Sequence, residues 1–445
     1  MPLRRAAPLL SLLLACAARQ EDPPTVTPPA ADAAAPTDGA PTATIPPTPA
    51  GEGLPCAVAQ VLAQKCQTCH RRPPLFGAPM PLLTLADTRA PSPTGQGLIW
   101  ESMRAKVQKG LMPPPTTPTG PLTDGEKAIL LDWLGAGAPA GNDACTPPPD
   151  AGPPSAPPGG PGTLPCQPKH EFRAHGAGPT DPYPVPVEPN AYRCFTFPVP
   201  FTAGEQATAW APIIDDARVI HHWILYGHKN TAMPTGCGDT GRVFLMGWAP
   251  GGGNGQLPPD VGLELPDPGT WLTLEVHYNN GAKIPDAHDR SGVAVCTTDV
   301  PRPQEAGVLT LGSIAIALPP DNVEHAVTSE FPGNLTRLLP EPLHVLWTSP
   351  HMHLAGTSFK TEIVRDGQTL PLVDVPRWDF NSQRAYPQDP KTTLIMPGDM
   401  LRTVCTYKNG TGAPIRFGEK TENEMCFNFI AVYPITRVTA RQWIR

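Results

Sequence analysis

Val219-Ile220-His221-His222-Trp223-Ile224-Leu225-Tyr226-Gly227 sets two adjacent histidines inside a run of apolar, β-branched and aromatic residues. Such a run predicts a strand, on which neighbouring side chains point to opposite faces. Both histidines can serve one metal ion only where the strand ends or twists at the pair. Taken alone, the pair reads as one core histidine beside one exposed histidine. Three later stretches shift that balance: His277 in Leu274-Glu275-Val276-His277-Tyr278, His351 and His353 in Ser349-Pro350-His351-Met352-His353-Leu354, and Met425 in Glu424-Met425-Cys426. Together they offer five imidazoles and one thioether, a donor set sufficient for two copper ions.

The strand reading extends through the chain from Cys166 onward. β-Branched and aromatic runs alternate there with Gly, Pro and Asn turns, and almost no stretch has a helical pattern. About 280 residues of this kind pack naturally as two tandem antiparallel β-sandwiches, jelly-roll-like. Their junction is expected near Pro319-Pro320, giving 166–318 and 319–445. The spacing His351-x-His353 predicts both side chains on one face of a strand. His228, His325 and His344 fit no ligand motif and read as packing or surface residues, as do His170 and His175.

Upstream, Ala57-Val58-Ala59-Gln60-Val61-Leu62-Ala63-Gln64-Lys65 is helical in pattern and leads into Cys66-Gln67-Thr68-Cys69-His70. The C-x-x-C-H spacing is the signal for a covalently attached haem c: two thioethers hold the porphyrin edge and His70 meets the iron. A redox C-x-x-C is the competitor, but it needs no His70 and belongs with a βαβ pattern that is not visible here. Gly110-Leu111-Met112-Pro113 supplies the expected sixth ligand, Met112, in a proline-held loop; Met80 reads as packing. A His/Met pair raises the haem potential and suits electron transfer. Leu122-Thr123-Asp124-Gly125-Glu126 predicts an N-cap, opening a helix over Ala128–Leu134 that ends at Gly135. This order of parts resembles a class I cytochrome c domain, a small all-α unit over 55–145.

Composition places these units in an exported chain. Met1-Pro2-Leu3-Arg4-Arg5 and the apolar run to Leu14 have the form of a secretory signal. Leu13-Leu14-Ala15-Cys16 resembles a bacterial lipobox, so 1–16 is expected to be a signal whose cleavage leaves Cys16 to carry lipid. Ala17 favours the outer membrane. The chain holds 64 prolines, and two Pro-rich tracts, 17–54 and 146–165, read as a tether and a linker. The net charge of −7 is spread out, with no basic stripe for nucleic acid. Of the 11 cysteines, eight remain after Cys16, Cys66 and Cys69, an even set that fits disulfides in an oxidising compartment. Cys56 with Cys145 brackets the first domain and Cys405 with Cys426 joins neighbouring strands; the pairing of Cys166, Cys194, Cys237 and Cys296 stays open.

The motifs of 166–445 occur in the order seen in one family. They include the His221-His222 pair, Gly247-Trp248-Ala249-Pro250-Gly251, Leu274 to Tyr278, Ser291-Gly292-Val293 and His351-Met352-His353-Leu354-Ala355-Gly356. Trp378-Asp379-Phe380-Asn381, Pro397-Gly398-Asp399, Cys405-Thr406-Tyr407 and Glu424-Met425-Cys426 follow. The segment resembles the copper type II, ascorbate-dependent monooxygenases, and its phrases around His277, Trp378 and Cys405 are similar to the dopamine-type branch. The resemblance implies two mononuclear coppers across a solvent-filled cleft. His221, His222 and His277 would hold an electron-transfer copper, and His351, His353 and Met425 an oxygen-binding copper, where the thioether favours Cu(I). A three-histidine site can also take zinc, but zinc has no redox use and would leave the haem idle.

The resemblance further implies hydroxylation of an aliphatic C–H bond in a small organic substrate by dioxygen. Ascorbate would act as reductant, with the fused haem and an upstream electron donor replacing or supplementing it. Two positions depart from the family pattern. The peptide branch has an arginine where Ser349 stands, and Phe429 occupies the place of a tyrosine. Asn428 and Phe429 are expected to line the substrate cleft or pack in the core. The alternative expectation is a non-catalytic copper-binding or electron-relay lipoprotein of the cell envelope.

Overall fold

The computed structural model describes residues 51–93, 97–113, 119–141, 160–188, 190–237, 241–250, 252–380, 383–418, 420–437 and 442–444. The signal segment with Cys16, most of the tether, Cys145 and most of the 146–165 linker lie outside the described residues.

Four helices come first: α1 (Cys56–Lys65), α2 (Leu85–Arg89), α3 (Ile99–Gln108) and α4 (Asp124–Gly135). α4 starts where Thr123 predicts it. The Thr123 hydroxyl accepts the Glu126 N–H, and the Glu126 carboxylate accepts the Thr123 N–H. This reciprocal box satisfies two otherwise orphaned donors of the first turn. Leu62, Leu130 and Leu134 are fully buried at the centre of the core these helices share.

Strands dominate from His170 onward. The first half contains β1 (His170–Arg173), β2 (Ala191–Pro198), β3 (Gln206–Ile213), β4 (Ile220–His228), β5 (Arg242–Trp248), β6 (Val261–Glu264), β7 (Trp271–Tyr278) and β8 (Gly292–Thr298). The second contains β9 (Gln304–Ser313), β10 (Glu324–Phe331), β11 (Leu343–His351), β12 (Gly356–Arg365), β13 (Gln368–Val375), β14 (Met400–Lys408) and β15 (Cys426–Tyr433). Local pattern explains local burial. In β14, Leu401, Thr403, Cys405 and Tyr407 are buried while their neighbours are not, the alternation of a strand covered on one face. β4 is buried nearly throughout, as expected for a continuous apolar run. The chain is therefore mainly β.

Two four-stranded antiparallel sheets, β2-β7-β4-β5 and β10-β14-β12-β13, lie in the first and second halves. Each shares a core with one part of a single larger sheet, ordered β1-β8-β3-β6-β9-β15-β11. Two separate sandwiches would not share a sheet; β9 makes them do so. Its Gln304–Ala306 pair in parallel with Val261–Leu263 of β6, and its Gly307–Ser313 pair antiparallel with β15. A ten-residue strand is long enough to serve both halves, and it does so ahead of the Pro319-Pro320 step. The halves also touch through stacked Phe244 and Phe429, 4.6 Å apart, and through Trp210 and Trp347.

Disulfides close the first half through Cys166–Cys296 and Cys194–Cys237, and the second through Cys405–Cys426. Cys56 is itself disulfide-bonded. Cys194 and Cys237 lie near Glu275, whose carboxylate is engaged by Arg242 at 2.8 Å, so this corner is a bridged, charge-neutralised packing site.

Glu205, ahead of β3, carries a pH-dependent part of the stability. Burial pushes its carboxyl up, but neighbouring hydroxyls, the Thr202 N–H and His170 outweigh burial and hold its pKa at about 2. A group depressed in the folded state stabilises the fold above its unfolded pKa and loses that contribution as pH falls toward the folded one. Glu205→Gln is expected to cost on the order of 2 kcal/mol near neutral pH, a difference that vanishes between about pH 4 and pH 2. Urea denaturation of both proteins across that range reads the effect.

Candidate metal centres and their surroundings

His222 on β4 faces His277 on β7 directly. The register shifts between Ile220 and His222, so His221 is the extra residue of a bulge. A bulge locally breaks the strict alternation of side chains. This is how two consecutive histidines come to one site: the strand twists at the pair. Nδ1 of His221 lies 3.0 Å from Nδ1 of His222 and 3.1 Å from Nδ1 of His277. All three rings are buried. Burial pushes His222 and His277 well below the usual histidine range, and neighbouring His221 adds to it. Both are therefore neutral, the form that binds metal.

Two residues outside the predicted set orient His277. Asn190 Oδ1 lies 3.1 Å from its Nε2; an Nε2–H donated there leaves the Nδ1 lone pair turned to the cluster. Tyr192, opposite His277 in register, stacks on it with ring centroids 4.2 Å apart and planes 3° from parallel.

The second pair is built differently. β11 ends at His351 and His353 lies beyond it, which corrects the expectation of one strand face for both. Met352 between them turns into the core, and the two rings stand 5.2 Å apart at 89°. His351 Nδ1 lies 2.6 Å from Gln383 Oε1, and His353 Nδ1 lies 3.1 Å from the Asn423 carbonyl. With both Nδ1–H donated to these oxygens, Nε2 is the atom each ring keeps for a ligand. Burial pushes His351 down to about 3, with His353 adding to it, and burial lowers His353 too.

Glu424 ties this pair to Met425. Its Oε2 accepts the N–H of His353 at 2.8 Å and of Met425 at 3.3 Å, and its Oε1 accepts the Ala355 N–H at 2.6 Å. Burial pushes the carboxyl up to about 7 against the pull of these donors. Met425 precedes β15, where His351 pairs with Phe427, and the Cys405–Cys426 bridge and the Tyr407 hydroxyl, donating to the Met425 carbonyl at 2.7 Å, hold its backbone. Trp378 Nε1–H donates to the His353 carbonyl at 3.1 Å. A side chain at Gly356 would sit 2.7 Å from the Trp378 indole, so only glycine allows that approach.

Phe380 lies between the two clusters. Its ring is 5.4 Å from His221, 5.7 Å from His277 and 6.1 Å from His353, and it is 5% exposed. The resemblance implies a solvent-filled cleft there; the Trp378–Phe380 segment instead folds an aromatic ring between the imidazoles. Tyr192 and Thr421 meet across the same seam at 3.5 Å. Phe429 packs on Phe244 in the shared core, and Asn428 is buried with its Nδ2 donating to Thr361.

Of the haem-motif residues, Cys66 and Cys69 are the free cysteines among the described residues. Burial pushes their thiols up to about 12 and about 11. His70 is buried, with Nδ1 2.9 Å from the Met80 carbonyl, so Met80 holds the histidine through its backbone. Met112 is half-buried, and the loop after Pro113 lies outside the described residues up to Thr119.

A mainly β chain with two histidine clusters on paired halves defines a candidate metal-binding scaffold. Residues 180–285 match the N-terminal domain, and residues 304–441 the C-terminal domain, of the copper type II ascorbate-dependent monooxygenases. This part of the chain belongs to that family. It is 29% identical over 280 residues to "DBH-like monooxygenase protein 2" of Mus musculus, covering 58% of this chain and 45% of that protein. It is 31% identical over 205 residues to the dopamine beta-hydroxylase of Canis lupus familiaris, covering 44% and 33%. Against the tyramine beta-hydroxylase of Caenorhabditis briggsae it is 27% identical over 284 residues, covering 58% and 48%. The chain thus spans less than half the length of these relatives.

Proposed function

We propose that the chain is a copper-dependent monooxygenase that hydroxylates an aliphatic C–H bond of a small organic molecule. One atom of dioxygen enters that bond and the other leaves as water, consuming two electrons and two protons. The observation that carries this reading is the convergence of three buried imidazoles, whose Nδ1 atoms lie 3.0 and 3.1 Å apart about His221. Three histidine nitrogens gathered at one buried point match the donor set of a single metal ion. Copper fits because the second cluster pairs two imidazoles with a neighbouring thioether residue, a set suited to Cu(I). When bound, copper supplies one-electron cycling at the first cluster and reductive use of dioxygen at the second.

The chain's own residues do the rest. Asn190 and Tyr192 fix the ring of His277, while Gln383 and the Asn423 carbonyl fix the tautomers of His351 and His353. Glu424 holds the His353 and Met425 backbones together, and Phe380 excludes water from the space between the clusters. Small aryl-alkyl amines are the first substrates to try, given the names of the relatives, and Ser349 disfavours a peptide carboxylate.

Residues 55–145 are read as a c-type cytochrome that supplies the electrons, alongside or in place of ascorbate. The free Cys66 and Cys69 with a tethered His70 support this. The same reading places the chain in the bacterial envelope, anchored through lipid on Cys16. Met425→Ala tests the oxygenase assignment. Tyramine-dependent oxygen uptake, driven by ascorbate, is expected to fall by roughly 100-fold or more, since partners of ligands alone carry about 10–100-fold. Unchanged uptake would remove Met425 from the site.

A further inference from the structure

The loop that follows the C-x-x-C-H motif rests on the rim of the three-histidine cluster. Leu75 N–H donates to the Cys69 carbonyl at 2.9 Å, so this loop moves with the motif. One residue on, Phe76 N–H donates to the Ala217 carbonyl at 2.5 Å, and its ring packs against the core of the first half. Phe76 and Gly77 both adopt positive φ, 54° and 71°, which turns the ring outward from its own domain. Gly77 lies so close to Asn279 that a Cβ there would come within 2.8 Å of Nδ2. Pro79 approaches Gly281 in the same way, at 3.5 Å from where a Cβ would stand.

Ala217 lies four residues before His221, and Asn279 two residues after His277. The Asn279 N–H donates to the Val219 carbonyl at 2.8 Å, joining the ends of the two histidine-bearing strands beneath the contact. On the other side, Gly110 of the helical domain sits against the guanidinium of Arg377, one residue before Trp378. The helical domain therefore touches both halves beside the two clusters.

We propose that Phe76-Gly77 is a docking knuckle that seats the haem-bearing loop on Ala217 and Asn279, making this contact the route by which electrons reach the three-histidine site. The proposal rests on the reading of 55–145 as a cytochrome. The step it serves is a single electron transfer: a ferrous haem becomes ferric and a cupric site becomes cuprous, with no proton or ligand moved. Phe76 is a positioning residue, since it touches neither metal ligand.

The test uses the full chain loaded with haem and copper, as wild type, as Phe76→Asp and as Gly281→Trp. The two variants open the same contact from opposite sides. After photochemical reduction of the haem, its reoxidation by cupric copper is followed by absorbance. Amide hydrogen exchange of residues 215–219 and 277–281 is measured alongside. The expected result is a fall in transfer rate of at least tenfold in both variants, faster exchange in both segments, and unchanged haem spectrum and direct reduction of copper by ascorbate. Fast transfer in all three proteins with equal protection would overturn the docking surface and leave the cytochrome reading standing. No transfer in the wild type would overturn the cytochrome reading, and this proposal with it.

Discussion

His222→Ala is expected to strip the first cluster of its metal and to abolish multiple turnover. Its Nδ1 lies 3.0 Å from that of His221, which lies 3.1 Å from that of His277, and its removal leaves two donors on adjoining strands with no third to close the site. Loss of a residue that merely orients a ligand costs about 10–100-fold in affinity or activity, so loss of the ligand itself is expected to exceed about 100-fold. Copper titration reads the affinity, and ascorbate-driven oxygen uptake reads the turnover. A retained second copper beside the loss would show that the clusters load independently. Undiminished turnover would exclude the cluster from the electron path.

Glu424→Ala is expected to unfold the second half rather than tune it. Three backbone N–H groups, of His353, Ala355 and Met425, point at this one buried carboxylate. Leaving a buried donor without an acceptor costs about 1–3 kcal/mol each, so the sum approaches a domain's whole stability of about 5–15 kcal/mol. Glu424→Gln keeps one carbonyl oxygen and is expected to lose about half as much. Thermal unfolding of the three proteins checks the order. An alanine variant as stable as wild type would mean that the 353–356 turn finds its acceptors elsewhere.

Much of this arrangement is legible from residues alone. The run around His221 and His222 demands a strand, and two neighbouring ligands on a strand demand a break in its alternation, which is the bulge at His221. The N-cap at Thr123 is equally local. What the sequence conceals is what tertiary packing decides. Gln383 lies 32 residues from His351 and Asn190 lies 87 from His277, and no periodicity links such pairs. The H-x-H spacing suggests one strand face, but Glu424 captures the backbone after His351 and ends the strand there. The sharing of one large sheet by both halves follows from the length of β9, and only its partners reveal that. Phe429 stands where either a cleft or a core was open to it. Phe244 settles the matter by stacking on it across the seam. Phe380 sits in a motif visible in the chain, yet its place among three histidines depends on how the two halves close.

Everything proposed for this chain depends on its holding paired copper sites. The most direct measurement is the metal content of the full chain after copper loading and exhaustive dialysis, read by elemental analysis with a copper-specific spectroscopic signal. Two coppers per chain are expected, one of them ligated only by histidine nitrogen and the other showing sulfur. One copper per chain, or zinc retained in preference to copper, would contradict it.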